Sequence, residues 1–198
     1  MKLNHIKTAL PVFILALLHT SLAHAHTESG ITGGFVSGVL HPVLGLDHLV
    51  AMVAVGLWGA FLGRPAIWIL PVVFPVVMAA GGVLGIVGIP LPAVEVLIAF
   101  SAVVLGICVL LALNPPLWIA AAIVGAFAIF HGHAHGAELP EAANPLAYAV
   151  GFVVATGLLH LAGIGLGLLA ALPAGRVAVR AAGAIVAVIG LAFLTGYA

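Results

Sequence analysis

The chain consists almost entirely of apolar stretches that are each long enough to cross a lipid bilayer. A transmembrane helix needs about 20 consecutive apolar residues. Hydrophobic residues make up 65% of this sequence and charged residues only 5%, whereas soluble domains carry about 25% charged residues. The composition therefore indicates an all-α, polytopic membrane protein in direct contact with the lipid bilayer. We predict about six transmembrane helices, over residues 33–62, 66–87, 92–113, 117–132, 145–171 and 178–197.

The N-terminus has the pattern of a secretory signal. Lys2 and Lys7 precede a short apolar core, and Ala23-His24-Ala25 fits the small-residue cleavage site that follows such a core. We therefore predict that residues 1–25 are a cleaved signal peptide and that residues 26–198 form a single transmembrane domain. Removal of the signal places the mature N-terminus on the outer side of the membrane.

The few basic residues of the mature chain support this orientation. With six spans and an outer N-terminus, the loops that carry Arg64, Arg176 and Arg180 all lie on the inside, as the positive-inside rule expects. The formal net charge is zero, which excludes a basic surface for nucleic acid. No glycine-rich loop is followed by a lysine, so we expect no nucleotide partner either.

The first predicted span is interrupted by His41, Asp47 and His48. Two imidazoles and a carboxylate cost several kcal/mol if they are left unpaired in hydrocarbon, so ionisable groups at this depth are candidates for function. On a helix, His41 and His48 are about two turns apart and share a face, with Asp47 beside it. These three residues are our first candidate metal ligands.

The same span is too long for one straight helix. Residues 33–62 would form a helix of about 45 Å, well beyond the thickness of the hydrocarbon core. Pro42 removes a backbone donor and Gly45 loosens the following turn. We therefore predict that the first helix is broken near Pro42, with a full span that starts from about Gly45.

A second cluster of candidate ligands contains His131, His133, His135 and Glu138. If the fourth helix continues through them, His131, His135 and Glu138 share one face. If the helix has already ended, the three alternating histidines can wrap an ion in an extended loop. The simpler alternative is a solvated loop that binds metal weakly and has no special role.

Three further residues are candidates with a simpler alternative each. His26 would follow the cleavage site, where its amine and imidazole can chelate one ion together, or it is merely the first solvated residue. Glu95 lies about one turn into the third span, as a pathway ligand or as a carboxylate that reaches the interface. His160 lies near the centre of the fifth span, as a pathway ligand, a proton relay or a structural imidazole bonded to a neighbouring helix.

The ligand inventory favours a borderline divalent ion. The chain has ten histidines but only three methionines and one cysteine, Cys108. Few thioethers and thiols argue against a cuprous ion, and few carboxylates argue against cations that need oxygen ligands alone. Nickel, cobalt and zinc remain open at this point.

The two histidine motifs resemble those of the HupE/UreJ family. The first is His41-Pro42-x-x-Gly45-x-Asp47-His48 followed by Ala51-Met52, and the second is Phe130-His131-Gly132-x-Ala134-His135-Gly136-x-Glu138-x-Pro140. The resemblance implies a nickel or cobalt permease linked to hydrogenase and urease maturation, with uptake towards the cytoplasm and no enzymatic activity. It implies metal-site roles for His41, Asp47, His48, His131, His135 and Glu138, extends them to His26 and Glu95, and leaves His133 at a variable position.

Two other classes of function stay open. Histidine boxes on helices also build membrane metalloenzymes, and residues 131–135 fit such a box superficially. A metal sensor or storage protein would bind the ion without moving it. With that resemblance we expect a transport domain over residues 26–198 of a bacterial inner-membrane protein, its mature N-terminus on the periplasmic face. We also expect Ni²⁺ or Co²⁺ as transported substrate and no prosthetic group, and homo-oligomerisation stays open. No ATP-binding motif is present, so transport would draw on an ion gradient, protons or the membrane potential.

Overall fold

The computed structural model describes residues 31–137, 139 and 144–197. Within those ranges the chain forms α-helices and one short 3₁₀ helix, without a β-strand, which confirms the predicted all-α fold. The predicted signal peptide, His26 and Glu138 lie outside the described residues. The helices are α1 (Ile31–Leu44), α2 (Leu46–Leu62), α3 (Ala66–Ile86), α4 (Val94–Leu110), α5 (Leu117–Ala137), α6 (Pro145–Gly167) and α7 (Pro173–Thr195), with the 3₁₀ helix Leu168–Ala171 after α6.

The first apolar stretch is broken into two helices, as predicted. The axes of α1 and α2 differ by 78°. The bend occurs at Gly45, whose ψ of 103° is extended, and Pro42 lies inside α1 three residues earlier. A proline lowers the stability of the helix around it, and an extended residue then ends the helix because its backbone leaves the helical path. The break therefore lies slightly later in the chain than Pro42.

Four of the described helical segments are long and apolar enough to cross a membrane, namely α3, α5, α7 and α6 together with its 3₁₀ extension. The bent pair α1–α2 can form a fifth span. Helix α4 is apolar but shorter, with 17 residues. The structure thus supports an integral membrane protein, and the total of six spans stays a prediction.

Helices pack in pairs through small residues. Helix α3 lies mainly against α5, α4 against α7, and α6 against both halves of the broken first span. A Cβ atom at Gly38 of α1 would collide with the Tyr148 carbonyl oxygen of α6, and one at Gly132 of α5 would collide with the Met78 carbonyl oxygen of α3. Such close approach of backbones is typical of helix pairs in lipid. It brings α1 and α5 near the same end of α6.

Two side-chain donors bond to carbonyls at and just after the C-terminal end of α4. The indole Nε1 of Trp58 donates to the Leu113 carbonyl at 3.0 Å, and the Arg180 Nε donates to the Leu110 carbonyl at 2.7 Å. The last carbonyls of a helix have no partner within the helix, and in an apolar medium they need one from elsewhere. These bonds tie α2 and α7 to the turn between α4 and α5.

The α4–α7 pair allows a direct test of glycine packing. We expect Gly106→Ala to lower the unfolding midpoint of the purified protein, because a Cβ at Gly106 would lie 2.5 Å from the Ala187 backbone nitrogen. Overpacking of this kind costs about 1–3 kcal/mol. The matched control is Gly165→Ala, since a Cβ at Gly165 meets no atom within 4 Å. Thermal unfolding in detergent that is equal for both variants would contradict close packing of α4 on α7.

Candidate metal site

The structure brings four imidazoles from three helices together at the break of the first span. His41 lies in the last turn of α1, His48 lies in the first turn of α2, and His131 and His135 lie in the last part of α5. The ring centre of His135 lies 4.7 Å from that of His41 and 4.6 Å from that of His48. The rings of His48 and His131 are 5.0 Å apart. We call these four residues the histidine cluster.

Helix α5 continues through the second histidine motif. It ends only at Ala137, so the helical interpretation of this motif is correct for residues 131–137 and the extended-loop alternative is not. His131 and His135 are four residues apart and therefore lie one above the other on the same face. Both side chains are buried, with 0% and 5% of their surface exposed.

A serine of α4 fixes the orientation of His131. The Ser101 hydroxyl donates its single proton to the Ile98 carbonyl at 2.6 Å, because a carbonyl can only accept. The same oxygen lies 3.0 Å from the Nε2 atom of His131, so it must accept a proton from that nitrogen. A neutral imidazole that donates through Nε2 presents a lone pair at Nδ1. The Nδ1 atom of His131 is buried and has no hydrogen-bond partner among the described residues.

Asp47 acts on His48 in the same way. Its Oδ1 atom lies 2.8 Å from the Nδ1 atom of His48, which donates to the carboxylate. The other ring nitrogen, Nε2, is buried without a partner in the described part of the chain. A metal-bound imidazole usually donates its other ring N–H to a carboxylate, which fixes the orientation of the ring. In this geometry Asp47 acts on the cluster through its hydrogen bond to His48.

Three members of the cluster, His48, His131 and His135, therefore hold buried ring nitrogens that have no hydrogen-bond partner among the described residues. An unpaired buried polar atom costs free energy, so such atoms in one place indicate a ligand site. Within residues 31–137, 139 and 144–197, however, no three His, Cys, Asp or Glu side chains are arranged to hold one ion as they stand. The buried ring nitrogens without a hydrogen-bond partner in the cluster are His48 Nε2, His131 Nδ1, and both nitrogens of His135.

The structure separates three predicted ligands from the cluster. The Nε2 atom of His133 donates to the Ile89 carbonyl at 2.7 Å, so this residue anchors the loop after α3. Glu95 is exposed in the first turn of α4. His160 is buried on α6 and its ring contacts Phe74, at 5.4 Å between ring centres.

An apolar cleft leads to the cluster between α3, α5 and α6. Its volume is about 260 Å³, and its lining includes His135, Tyr148 and Phe152. The Phe152 ring lies 4.1 Å from that of His135, and the Tyr148 ring lies 6.1 Å from that of His41. The cleft therefore borders His135 near the end of α5.

Sequence reasoning missed the partners of the ligands. Ser101, Phe74 and Phe152 belong to ordinary apolar stretches and lie far along the chain from the histidines they contact. The one available signal was Ser101, a hydroxyl in the middle of the apolar stretch that forms α4, because polar side chains inside membrane helices bond to neighbouring helices.

Comparisons with known proteins agree with this picture. The family model described as "HupE / UreJ protein" matches residues 14–193. The chain belongs to the HupE/UreJ family. It is 48% identical over 196 residues to "Protein HupE" of Rhizobium leguminosarum bv. viciae, an alignment that covers 99% of this chain and 100% of that protein. No solved structure matches the chain. Membership in HupE/UreJ, a transporter-type family associated with nickel and cobalt handling, supports a metal transport role.

The orienting role of Ser101 can be tested by metal binding. We expect Ser101→Ala to weaken Ni²⁺ binding to the purified protein by about 10–100-fold, the usual loss when the outer partner of a ligating histidine is removed. Titration calorimetry would measure it. Thr195→Val is the matched control, because the Thr195 hydroxyl also donates to a helix carbonyl, that of Leu191, but at the exposed end of α7. Equal affinity in both variants would mean that the Nδ1 atom of His131 is not a ligand.

Proposed function

We propose that this protein is an inner-membrane permease that takes up Ni²⁺, and also Co²⁺, from the periplasm into the cytoplasm, for hydrogenase or urease maturation. The observation that carries the proposal is the histidine cluster, in which buried ring nitrogens of His48, His131 and His135 have no hydrogen-bond partner among the described residues. Membership in the HupE/UreJ family supports the same conclusion.

The chemistry of the cluster suits the proposed ions. Neutral imidazoles bind nickel, cobalt and zinc well, whereas magnesium and calcium prefer oxygen ligands. The carboxylate of Asp47 increases the basicity of His48 through its bond to Nδ1. Its second oxygen would also offer a direct ligand to an ion that enters beside His48.

We propose a path that runs from the outer face to the cluster and on into the membrane. His26 and Glu138 would capture the ion outside, and the cleft beside His135 would admit it. Glu95 would attract the cation at the outer end of α4, and His160 would receive it below the cluster. The ion is substrate and no prosthetic group is needed, and an ion gradient, protons or the membrane potential would supply the energy.

The loose arrangement of the ligands fits a carrier. The rings of His41 and His135 are nearly perpendicular, at 89°, as are those of His48 and His131. A permease must release its ion as well as bind it, so ligands that exchange one at a time serve transport better than a closed four-ligand site. Small movements of α1 against α2 at Gly45 would change which nitrogens face the ion.

Uptake of radioactive nickel into cells tests the proposal directly. We expect His48→Ala and Asp47→Ala to abolish accumulation while the protein still reaches the membrane, because the first removes a ligand and the second releases its orientation. Membrane fractions probed with a C-terminal tag would verify that the protein is present. Normal accumulation by either variant would refute the central site, and a wild type that binds nickel without accumulating it would indicate a sensor or an enzyme.

A variant of the same motif provides the matched control. We expect His133→Gln to retain nickel accumulation, because a glutamine amide can still donate to the Ile89 carbonyl and His133 faces away from the cluster. If His133→Gln lost both nickel accumulation and nickel binding, His133 would be a metal ligand. Competition by cobalt and zinc in the same assay would rank the three ions.

A further inference from the structure

One face of α6 continues from the histidine cluster into the membrane. Tyr148, Phe152, Thr156 and His160 follow one another at intervals of four residues, so they lie in a row along the helix. The first two border the cluster, through His41 and His135 respectively. A step of four residues is about 6 Å along a helix, which puts His160 about 12 Å deeper than Phe152.

The deeper part of this row holds polar atoms without partners. Thr156 is 0% exposed and His160 only 1%. The Thr156 hydroxyl makes no hydrogen bond to the described residues. Pro75 has no N–H, so the Pro71 carbonyl of α3 lacks its usual partner within the helix, and one ring nitrogen of His160 faces that carbonyl as a donor. The other ring nitrogen of His160 has no partner in the described part of the chain. Unpaired polar atoms of this kind are rare in an apolar interior and call for a ligand.

One aromatic ring contacts a histidine from each of the two groups of unpaired atoms. The Phe74 side chain is 0% exposed, and its ring centre lies 5.4 Å from that of His131 and 5.4 Å from that of His160. The ring is thus in contact with one residue of the cluster and also with the deeper histidine. It offers no lone pair to an ion.

We propose that Phe74 is a gate between two successive ion stations, the histidine cluster outside and an inner station formed by the Thr156 hydroxyl and the His160 imidazole. This inference rests on the proposed transport function and extends it to the route of the ion. Apolar constrictions stop ions and water because hydration is lost there, and they open when the side chain moves aside. The ion leaves the cluster, passes the ring, and is received by the nitrogen and oxygen atoms below it.

The surrounding helix is suited to such a movement. Pro71 and Pro75 lie three residues before and one residue after Phe74, inside α3. Each proline removes one hydrogen bond from the turn that carries the ring, and a helix bends most readily at such points. A change in the bend of α3 would move Phe74 without disturbing the packing at either end of the helix.

Access of a thiol reagent to the inner station tests the gate. The background is Cys108→Ala, which removes the single native cysteine, with Thr156→Cys as reporter. A membrane-impermeant maleimide is added to the outer side of intact spheroplasts. We expect Phe74→Ala to accelerate labelling at position 156 by about tenfold or more, because the apolar constriction is lost. Saturating Ni²⁺ should slow labelling in the Phe74→Ala background, since the ion then competes for the inner station.

The matched control is Phe100→Ala. Phe100 is 43% exposed and contacts the Phe127 ring on another part of the surface, so the same truncation should leave labelling at position 156 unchanged. Equal labelling of the Phe74 and Phe74→Ala proteins would overturn the gate. So would acceleration by Phe100→Ala of the same size, because the effect would then be general loosening. Size-exclusion profiles of all variants verify folding.

A second measurement concerns the inner station itself. We expect His160→Ala to reduce the rate of radioactive nickel uptake by about tenfold or more while equilibrium binding at the cluster keeps its affinity, because only the receiving ligand is lost. Unchanged uptake in His160→Ala would overturn the inner station. Thiol labelling does not depend on transport, so the two proposals can fail separately. Unchanged labelling in Phe74→Ala would overturn the gate and leave the proposed permease function standing. Absence of nickel uptake by the wild type would overturn the permease function and leave the Phe74 barrier standing.

Discussion

The pairing of two buried imidazoles, those of His48 and His131, with one fixed partner each is the interaction on which the site depends. Ser101 accepts from His131, and Asp47 accepts from His48, so each ring has one nitrogen held in place and the other left with a free lone pair. In an apolar medium such lone pairs are costly, and they gain most from a cation. The hydrogen bonds therefore define which atoms are available to a metal before any metal arrives.

Backbone geometry supplies the room for this arrangement. The bend of 78° at Gly45 turns α1 away from α2, so that His41 and His48 approach α5 from different directions. Close packing of α1 on α6 and of α3 on α5 brings the helices near enough for the rings to meet. A straight first span would carry the same residues along one line, and the three helices would not surround a common space.

Aromatic side chains border the histidine cluster at two places along the proposed route of the ion. Phe152 and Tyr148 border the cluster on the side of the cleft, while Phe74 contacts both His131 and His160. Alternation of lone-pair donors with apolar rings is a physical basis for stepwise movement, because an ion is stable at the donors and unstable between them. Transport requires this alternation, since a single deep well would hold the ion instead of passing it on.

The sequence by itself determined the all-α membrane fold, the break in the first span, and the shared face of His131 and His135, because helical periodicity, proline, glycine and apolar length act locally. Only the tertiary structure decided that His133 bonds to Ile89, that Ser101 orients His131, and that Phe74 contacts two histidines. Those contacts join residues 30 or more positions apart, and they depend on which helix faces meet in space. Helix packing selects among many equally apolar faces, and a pattern of residue types does not record that choice.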